Sequence, residues 1–247
     1  MSRQLALNLS LKDASSFGNF LAGPNREAME QLRAAVVQAA TQATTKPTMI
    51  YLWGAEGAGK THLLQAACRL AQELGIAPVY IPLADVVALE PSLLEGLEET
   101  PLVCLDDVEH VAGRAEWEAA LFSLVERRRS GGGMLAVGAS MPPDRLGLKL
   151  PDLASRLAWG TTYAMQPLSD AQKLEAVQLR ARHRGFEMPE DVASYILSRY
   201  PRDLPSLFDL LDRIDRASLT RQRRVTIPFL RELEAMPYED AGIDNKS

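Results

Sequence analysis

The sequence is poor in the residues on which whole classes of protein depend. It has 2 cysteines, Cys68 and Cys104, in 247 residues. Two thiols in a chain this long form no disulfide scaffold; they read as reduced and buried, and the expected compartment is the cytoplasm. Its 3 histidines, His62, His110 and His183, are scattered, and no His, Cys and acidic residues fall at zinc-ligand spacing. No serine, threonine or cysteine stands in a nucleophile motif. An excess of positive charge is missing: 27 Lys+Arg face 32 Asp+Glu, a net charge of −5. Strong unaided binding to DNA phosphates is therefore not expected. No uncharged apolar run approaches the roughly 18 residues of a membrane span, so no membrane partner is expected. Asn8, Ser10, Lys12 and Asp13 break up what would otherwise be the apolar core of a signal peptide. There is no internal repeat. What is present, 47% hydrophobic and 24% charged residues, is ordinary globular composition and enough chain for one large domain or two smaller ones.

Four segments can be read. Residues 1–16 carry Leu5, Leu7, Leu9 and Leu11 in strict alternation. Residues 17–166 alternate short apolar runs with helical patterns. The strands expected are Met49–Trp53, Val79–Pro82, Leu102–Leu105, Met134–Val137 and Thr162–Met165, with helices over Arg26–Gln42, Lys60–Leu74 and Glu116–Arg129. This alternation predicts an α/β domain with a parallel sheet covered on both faces. Residues 167–236 read as a small helical lid. Ser169 opens a capping box, Pro189 suits a first helical position, Leu204–Ser218 has helical spacing, and Pro228 starts a short last helix. Residues 237–247 form an acidic, polar tail that is expected to be disordered.

The strongest chemical signal is Gly54-Ala55-Glu56-Gly57-Ala58-Gly59-Lys60-Thr61, followed by His62. It fits the P-loop pattern in full, after one strand and before one helix. Glycines let successive N–H groups turn toward phosphate oxygens, and the following helix offers its positive end to the same anion. Lys60 suits the β- and γ-phosphates of ATP, and the Thr61 hydroxyl suits Mg²⁺. Leu102-Val103-Cys104-Leu105-Asp106-Asp107 supplies a strand ending in two carboxylates. Asp106 is placed to hold Mg²⁺ and Asp107 to polarise an attacking water.

P-loop, paired aspartates and helical lid together resemble the AAA+ ATPases. Leu148-Lys149-Leu150-Pro151-Asp152-Leu153-Ala154-Ser155-Arg156-Leu157-Ala158-Trp159-Gly160 resembles the arginine-finger motif of bacterial replication initiators, the DnaA family. Phe17, Phe20, Gly23 and Asn25 resemble the start of that family's nucleotide domain, and the likeness covers about Phe17 to Met236. Initiators continue into a helix-turn-helix module beyond this point. Arg180–Glu187 and Ser218–Phe229 look like the lid of the family's initiator-regulating branch, and Gln4-Leu5-Ala6-Leu7-Asn8-Leu9 looks like that branch's peptide for the DNA polymerase III sliding clamp. The resemblance implies bound ADP or ATP with Mg²⁺. It implies a replication initiator as partner, DNA reached only through the clamp, homo-oligomers, and Arg156 acting in trans on initiator-bound ATP to block re-initiation.

Three departures from a strong ATPase stand out. The usual Glu is Asp107. The polar residue before Pro142-Pro143 is Ser140, and the lid position expected to carry an arginine aligns with Pro205, Arg202 being nearby. All three weaken hydrolysis within the subunit and leave the phosphate cradle intact. Some alternatives stay open. The leucine alternation of Gln4, Leu5, Leu7 and Leu9 also suits an edge strand of the protein's own sheet. Arg127-Arg128-Arg129 and Arg221, Arg223 and Arg224 suit a solvated helix end or contact with DNA or an acidic partner. For function, a helicase-loader-type ATPase (DnaC-like) and a non-catalytic initiator-binding scaffold compete with the adaptor.

Overall fold

The computed structural model describes residues 15–41, 47–221 and 223–234. Gln4, Leu5, Leu7 and Leu9, and the tail from Pro237, lie outside the described residues. The chain divides into two compact units, Met1–Pro167 and Leu168–Ser247.

The first unit runs α1 (Arg26–Thr41), β1 (Thr48–Trp53), α2 (Lys60–Glu73), β2 (Pro78–Pro82), α3 (Leu83–Val86), β3 (Leu102–Asp106), α4 (Ala115–Gly131), β4 (Met134–Ala139), α5 (Pro151–Leu157) and β5 (Thr161–Ala164). The strands form one sheet in the order β2-β3-β4-β1-β5, every pair parallel. Alternation along each strand decides which core a residue joins. Tyr51, Val103, Leu105 and Val137 face α4 and α5. Ile50, Leu52, Cys104 and Ala136 face α1 and α2. With both faces covered, the central strands can be apolar throughout, and β3 and β4 are buried at every position. Cys68 and Cys104 are both free and buried, as small apolar residues commonly are.

All five strands run the same way, so their C-terminal ends meet along one edge, where open α/β sheets place ligand sites. The expected strands lie where the sequence puts them, within one or two residues. Two short helices, α3 and α5, were not expected. The second unit contains α6 (Asp170–His183), α7 (Glu190–Arg199), α8 (Leu204–Arg221) and α9 (Ile227–Glu234) around Val177, Ile196, Leu207, Leu211, Ile214 and Phe229. Ser169 makes the full capping box with Gln172. Pro189 stands just outside α7, as its N-cap, where its fixed φ also fits.

Arg128 corrects the reading of the basic run. Successive helix positions lie about 100° apart, so three arginines in a row cannot share one face. Arg129 pairs with Glu126 at 3.2 Å and Arg127 with Glu98 at 3.6 Å. Arg128 points inward and is 2% exposed. In the second unit Arg223 pairs with Glu232 at 2.6 Å.

Candidate functional site

Gly54 continues directly from β1 and donates its N–H to Ala139 at the end of β4. Gly54, Gly57 and Gly59 have φ of 155°, 75° and 96°, and the last two need the left-handed region that glycine adopts without strain. A β-carbon at Gly59 would also lie 2.7 Å from the Phe20 ring. Gly59 is the N-cap of α2 and has no side chain to cap it, so the positive end of this fourteen-residue helix is turned to the loop. Lys60 is buried, and its ammonium donates to the carbonyls of Gly54 (2.8 Å) and Ala55 (3.1 Å). Ala55 and Glu56 are exposed at the loop tip, and Ala58 is buried beneath it. This donor set, a curled loop with a helix end and a captive cation, is the chemistry that fits a chain of phosphates.

Asp106 is fully buried at the end of β3. One oxygen accepts from the Tyr80 hydroxyl at 2.9 Å and the other from the Asp107 N–H at 3.1 Å. Burial pushes the Asp106 carboxyl above its ordinary range, against the pull of Thr61, Tyr80, the Asp107 N–H and the Lys60 charge. A divalent cation is a partner able to hold it ionised. Mg²⁺ taken with a nucleotide needs only one or two protein oxygens, the rest coming from phosphates and water. Thr61 and Asp106 are suited to supply them. Gly138 on β4 makes room, because a β-carbon there would strike the Asp106 carboxylate.

Asp107 is the sole non-glycine with positive φ among the described residues, at 56°. Such conformations are held only where the surroundings impose them, often at functional sites. Burial, then the charges of Asp106 and Glu109, raise its pKa to about 6. That is near the working range of a general base. Because the folded value lies above the unfolded one, ionised Asp107 opposes folding at neutral pH; its contribution improves as pH falls through about 6 toward 4. Asp107→Asn is therefore expected to raise the unfolding temperature at pH 7.5 by about 2–4 °C. The gain should shrink by pH 5, as a thermal scan at the two pH values would show.

Glu109 lies two residues on and accepts the Ser140 N–H at 3.1 Å, while the buried Tyr51 hydroxyl donates to the Met141 carbonyl at 2.9 Å. These two bonds fix the backbone beside Ser140. His62 lies next to the loop, but its Nε2 meets the Ser16 carbonyl at 3.0 Å and its ring packs on Phe20 at 5.3 Å. In this structure it holds the N-terminal stretch against the loop. Asn25 works similarly, bridging to the Ala58 carbonyl (3.5 Å) and to both backbone groups of Gln166 (2.8 Å each).

Arg156 sits in the last turn of α5, whose Leu153 and Leu157 are fully buried. The loop leading into α5 is held by Glu118 of α4, itself 1% exposed. Its carboxylate accepts from Gly113 (2.6 Å), Lys149 (3.1 Å) and Leu150 (2.7 Å). Burial works against its ionisation, yet these three N–H donors hold its pKa below the ordinary range. The Arg156 side chain is 35% exposed, and its guanidinium pairs with Glu126. Trp159, three residues on, is 40% exposed. In the lid, Arg202 pairs with Asp170 at 2.6 Å and donates to the Leu197 carbonyl, and Pro205 is exposed in the first turn of α8.

Sequence reasoning did not single out Tyr80, Gln65, Glu109 or Glu118. Each is far in sequence from the group it serves, or carries no motif of its own.

Two family models match the chain: one described as the bacterial DnaA ATPase domain over residues 11–79, and one described as Hda, lid domain, over residues 170–233. Domain III of the Thermotoga maritima initiator DnaA is similar at TM-score 0.71 and 21% identity, over 90% of this chain and 95% of that one. AMPPCP-bound DnaA from Aquifex aeolicus is similar at TM-score 0.63 and 23% identity, over 82% and 66%. The Thermotoga maritima RuvB Holliday junction branch migration motor shares the fold at TM-score 0.60 and 19% identity, over 89% and 72%. The structures establish the architecture, an AAA+-type sheet domain followed by a helical lid, and the two family models refine it by region: residues 11–79 are of the DnaA ATPase kind and residues 170–233 of the Hda lid kind.

Proposed function

We propose that this chain is a regulator of replication initiation that acts as a nucleotide-bound adaptor, lending Arg156 to an initiator of the DnaA type. Residues Gly54–Thr61 would hold the phosphates of ADP or ATP, and Thr61 and Asp106 would hold Mg²⁺. When bound, the nucleotide supplies the anion that orders the loop, and the cation offsets its charge. Residues Gln4, Leu5, Leu7 and Leu9 would dock in an apolar groove on the sliding clamp. An extended strip places its leucines on one side, and the Gln4 amide both donates and accepts. The clamp encircles DNA, so tethering brings the adaptor to DNA by raising its effective concentration there.

The observation that carries this reading is the presentation of Arg156. A short helix, locked from behind by buried leucines and by the Glu118 carboxylate, carries a part-exposed arginine, with an exposed tryptophan three residues on. Arginine and tryptophan in such surroundings are the residues that anchor protein interfaces. To test it, initiator loaded with labelled ATP is mixed with DNA-loaded clamp and this chain. Hydrolysis should accelerate, and Gln4→Ala with Leu7→Ala should abolish clamp binding and the acceleration while nucleotide binding stays intact. Acceleration that ignores the clamp would contradict the tether.

One observation favours a second reading, an ATPase of the helicase-loader kind. Asp107 stands directly after β3 with positive φ, and burial with the charges of Asp106 and Glu109 pushes its carboxyl up to about 6, toward the range of a working base. Appreciable turnover by the purified chain, with no need for residues 4–9, would support it.

A further inference from the structure

Residues 15–25 lie across the phosphate loop, through His62, Gly59 and Asn25 as described above. From their first residue a line of buried polar groups runs to the candidate cation ligand. The Ser15 hydroxyl donates to Oε1 of Gln65, on α2, at 2.9 Å. The Gln65 side chain faces the Tyr80 hydroxyl, on β2, closely enough to favour its ionised form. The Tyr80 hydroxyl donates to Oδ2 of Asp106, on β3, at 2.9 Å. The two end links are hydrogen bonds, and Ser15, Gln65 and Asp106 are each less than 9% exposed. Buried polar groups are costly unless satisfied, and a fully satisfied chain fixes its members in place.

The position of Asp106 gives the line its consequence. A carboxylate free to rotate would offer a cation either oxygen. With Oδ2 on Tyr80 and Oδ1 on the Asp107 N–H, its plane is set. Tyr80 is in turn set by Gln65, and Gln65 by Ser15. We propose that Tyr80 is a positioning residue that orients Asp106 for a divalent cation, and that the line through Gln65 makes this orientation depend on the anchorage of Ser15. The proposal rests on the nucleotide-and-Mg²⁺ reading of the site. It adds that Ser15, the first described residue, is tied to the metal side of that site. By linkage, whatever changes the hold on Ser15 then changes cation-dependent nucleotide affinity, and the reverse.

The test is a titration of the full chain with a non-hydrolysable ATP analogue, with Mg²⁺ and with chelator, for wild type, Tyr80→Phe and Ser15→Ala. The quantity read is the factor by which Mg²⁺ tightens binding. Tyr80→Phe keeps the ring and loses one hydrogen bond to a charged group, so the factor should fall about tenfold with chelator affinity unchanged. Ser15→Ala loses a neutral bond further back, and the factor should fall about threefold. A purely structural role would move both affinities together. An unchanged factor in either variant overturns the proposal, as does a parallel loss with and without Mg²⁺. A wild type indifferent to Mg²⁺ overturns the proposal together with the site reading beneath it.

Discussion

Arg156→Ala is expected to reduce the stimulation of initiator-bound ATP hydrolysis by about 10³–10⁵, the range over which such guanidiniums act on a transferring phosphoryl group. Chelator-independent nucleotide binding by the variant itself should be unchanged, because Arg156 lies on α5 and its ion partner is Glu126 of α4. The planar fork matters as well as the charge, so Arg156→Lys should recover little. The contact with Glu126 does not argue against the role. The Arg129 and Arg156 guanidiniums hold the Glu126 carboxyl below its ordinary range. Glu126 is nonetheless at the surface, where such pairs are weak and a guanidinium readily changes partner. If Arg156→Ala stimulates as well as wild type, the chain is a scaffold.

Arg128→Ala is expected to be strongly destabilising, at about 2–4 kcal/mol. Its guanidinium donates to the carbonyls of Leu97 (3.3 Å), Glu98 (3.2 Å) and Pro101 (3.4 Å), and to those of Thr100 and Met134. It thus ties the turn before β3 to the start of β4, at the edge of the sheet opposite the phosphate loop. Gly133 allows this approach, since a β-carbon there would lie 2.8 Å from the guanidinium. The acceptors are backbone, so no second substitution can remove them, and truncation breaks five charge-assisted bonds that hold the two segments together, although the Leu97 and Pro101 carbonyls keep their bonds from the Thr100 and Met134 N–H groups. Arg128→Met, which restores the volume, should recover only a small part. Denaturant unfolding measures the effect. Were the basic run a DNA contact, Arg128→Ala would leave stability unchanged and weaken only partner-dependent activity.

The elements that could be read from sequence were those with a strong local pattern. The five strands are apolar runs bounded by polar or turn residues, and the Ser169 capping box needs only four consecutive residues. The phosphate loop is equally local, and Gly54–Thr61 curls after β1 as its glycine spacing requires. Helix α5 escaped because Leu153 and Leu157 are one turn apart within seven residues, too short a window for a period to show. The support of the site escaped for a different reason. Tyr80 meets Asp106 only because β2 and β3 pair in register, and Ser15 meets Gln65 across fifty positions of sequence. Arg128 looked like its neighbours, and only the direction of the helix face separates a buried clasp from two surface ion pairs. The proposed roles of Gln4, Leu5, Leu7 and Leu9 rest on sequence alone.

The most direct measurement is a cryo-EM structure of this chain assembled with DNA-loaded clamp and an initiator carrying a non-hydrolysable ATP analogue. The account predicts the Arg156 guanidinium released from Glu126 and bonded to the γ-phosphate held by the initiator. An assembly in which Arg156 still faces Glu126, with another residue or none at that phosphate, would contradict it.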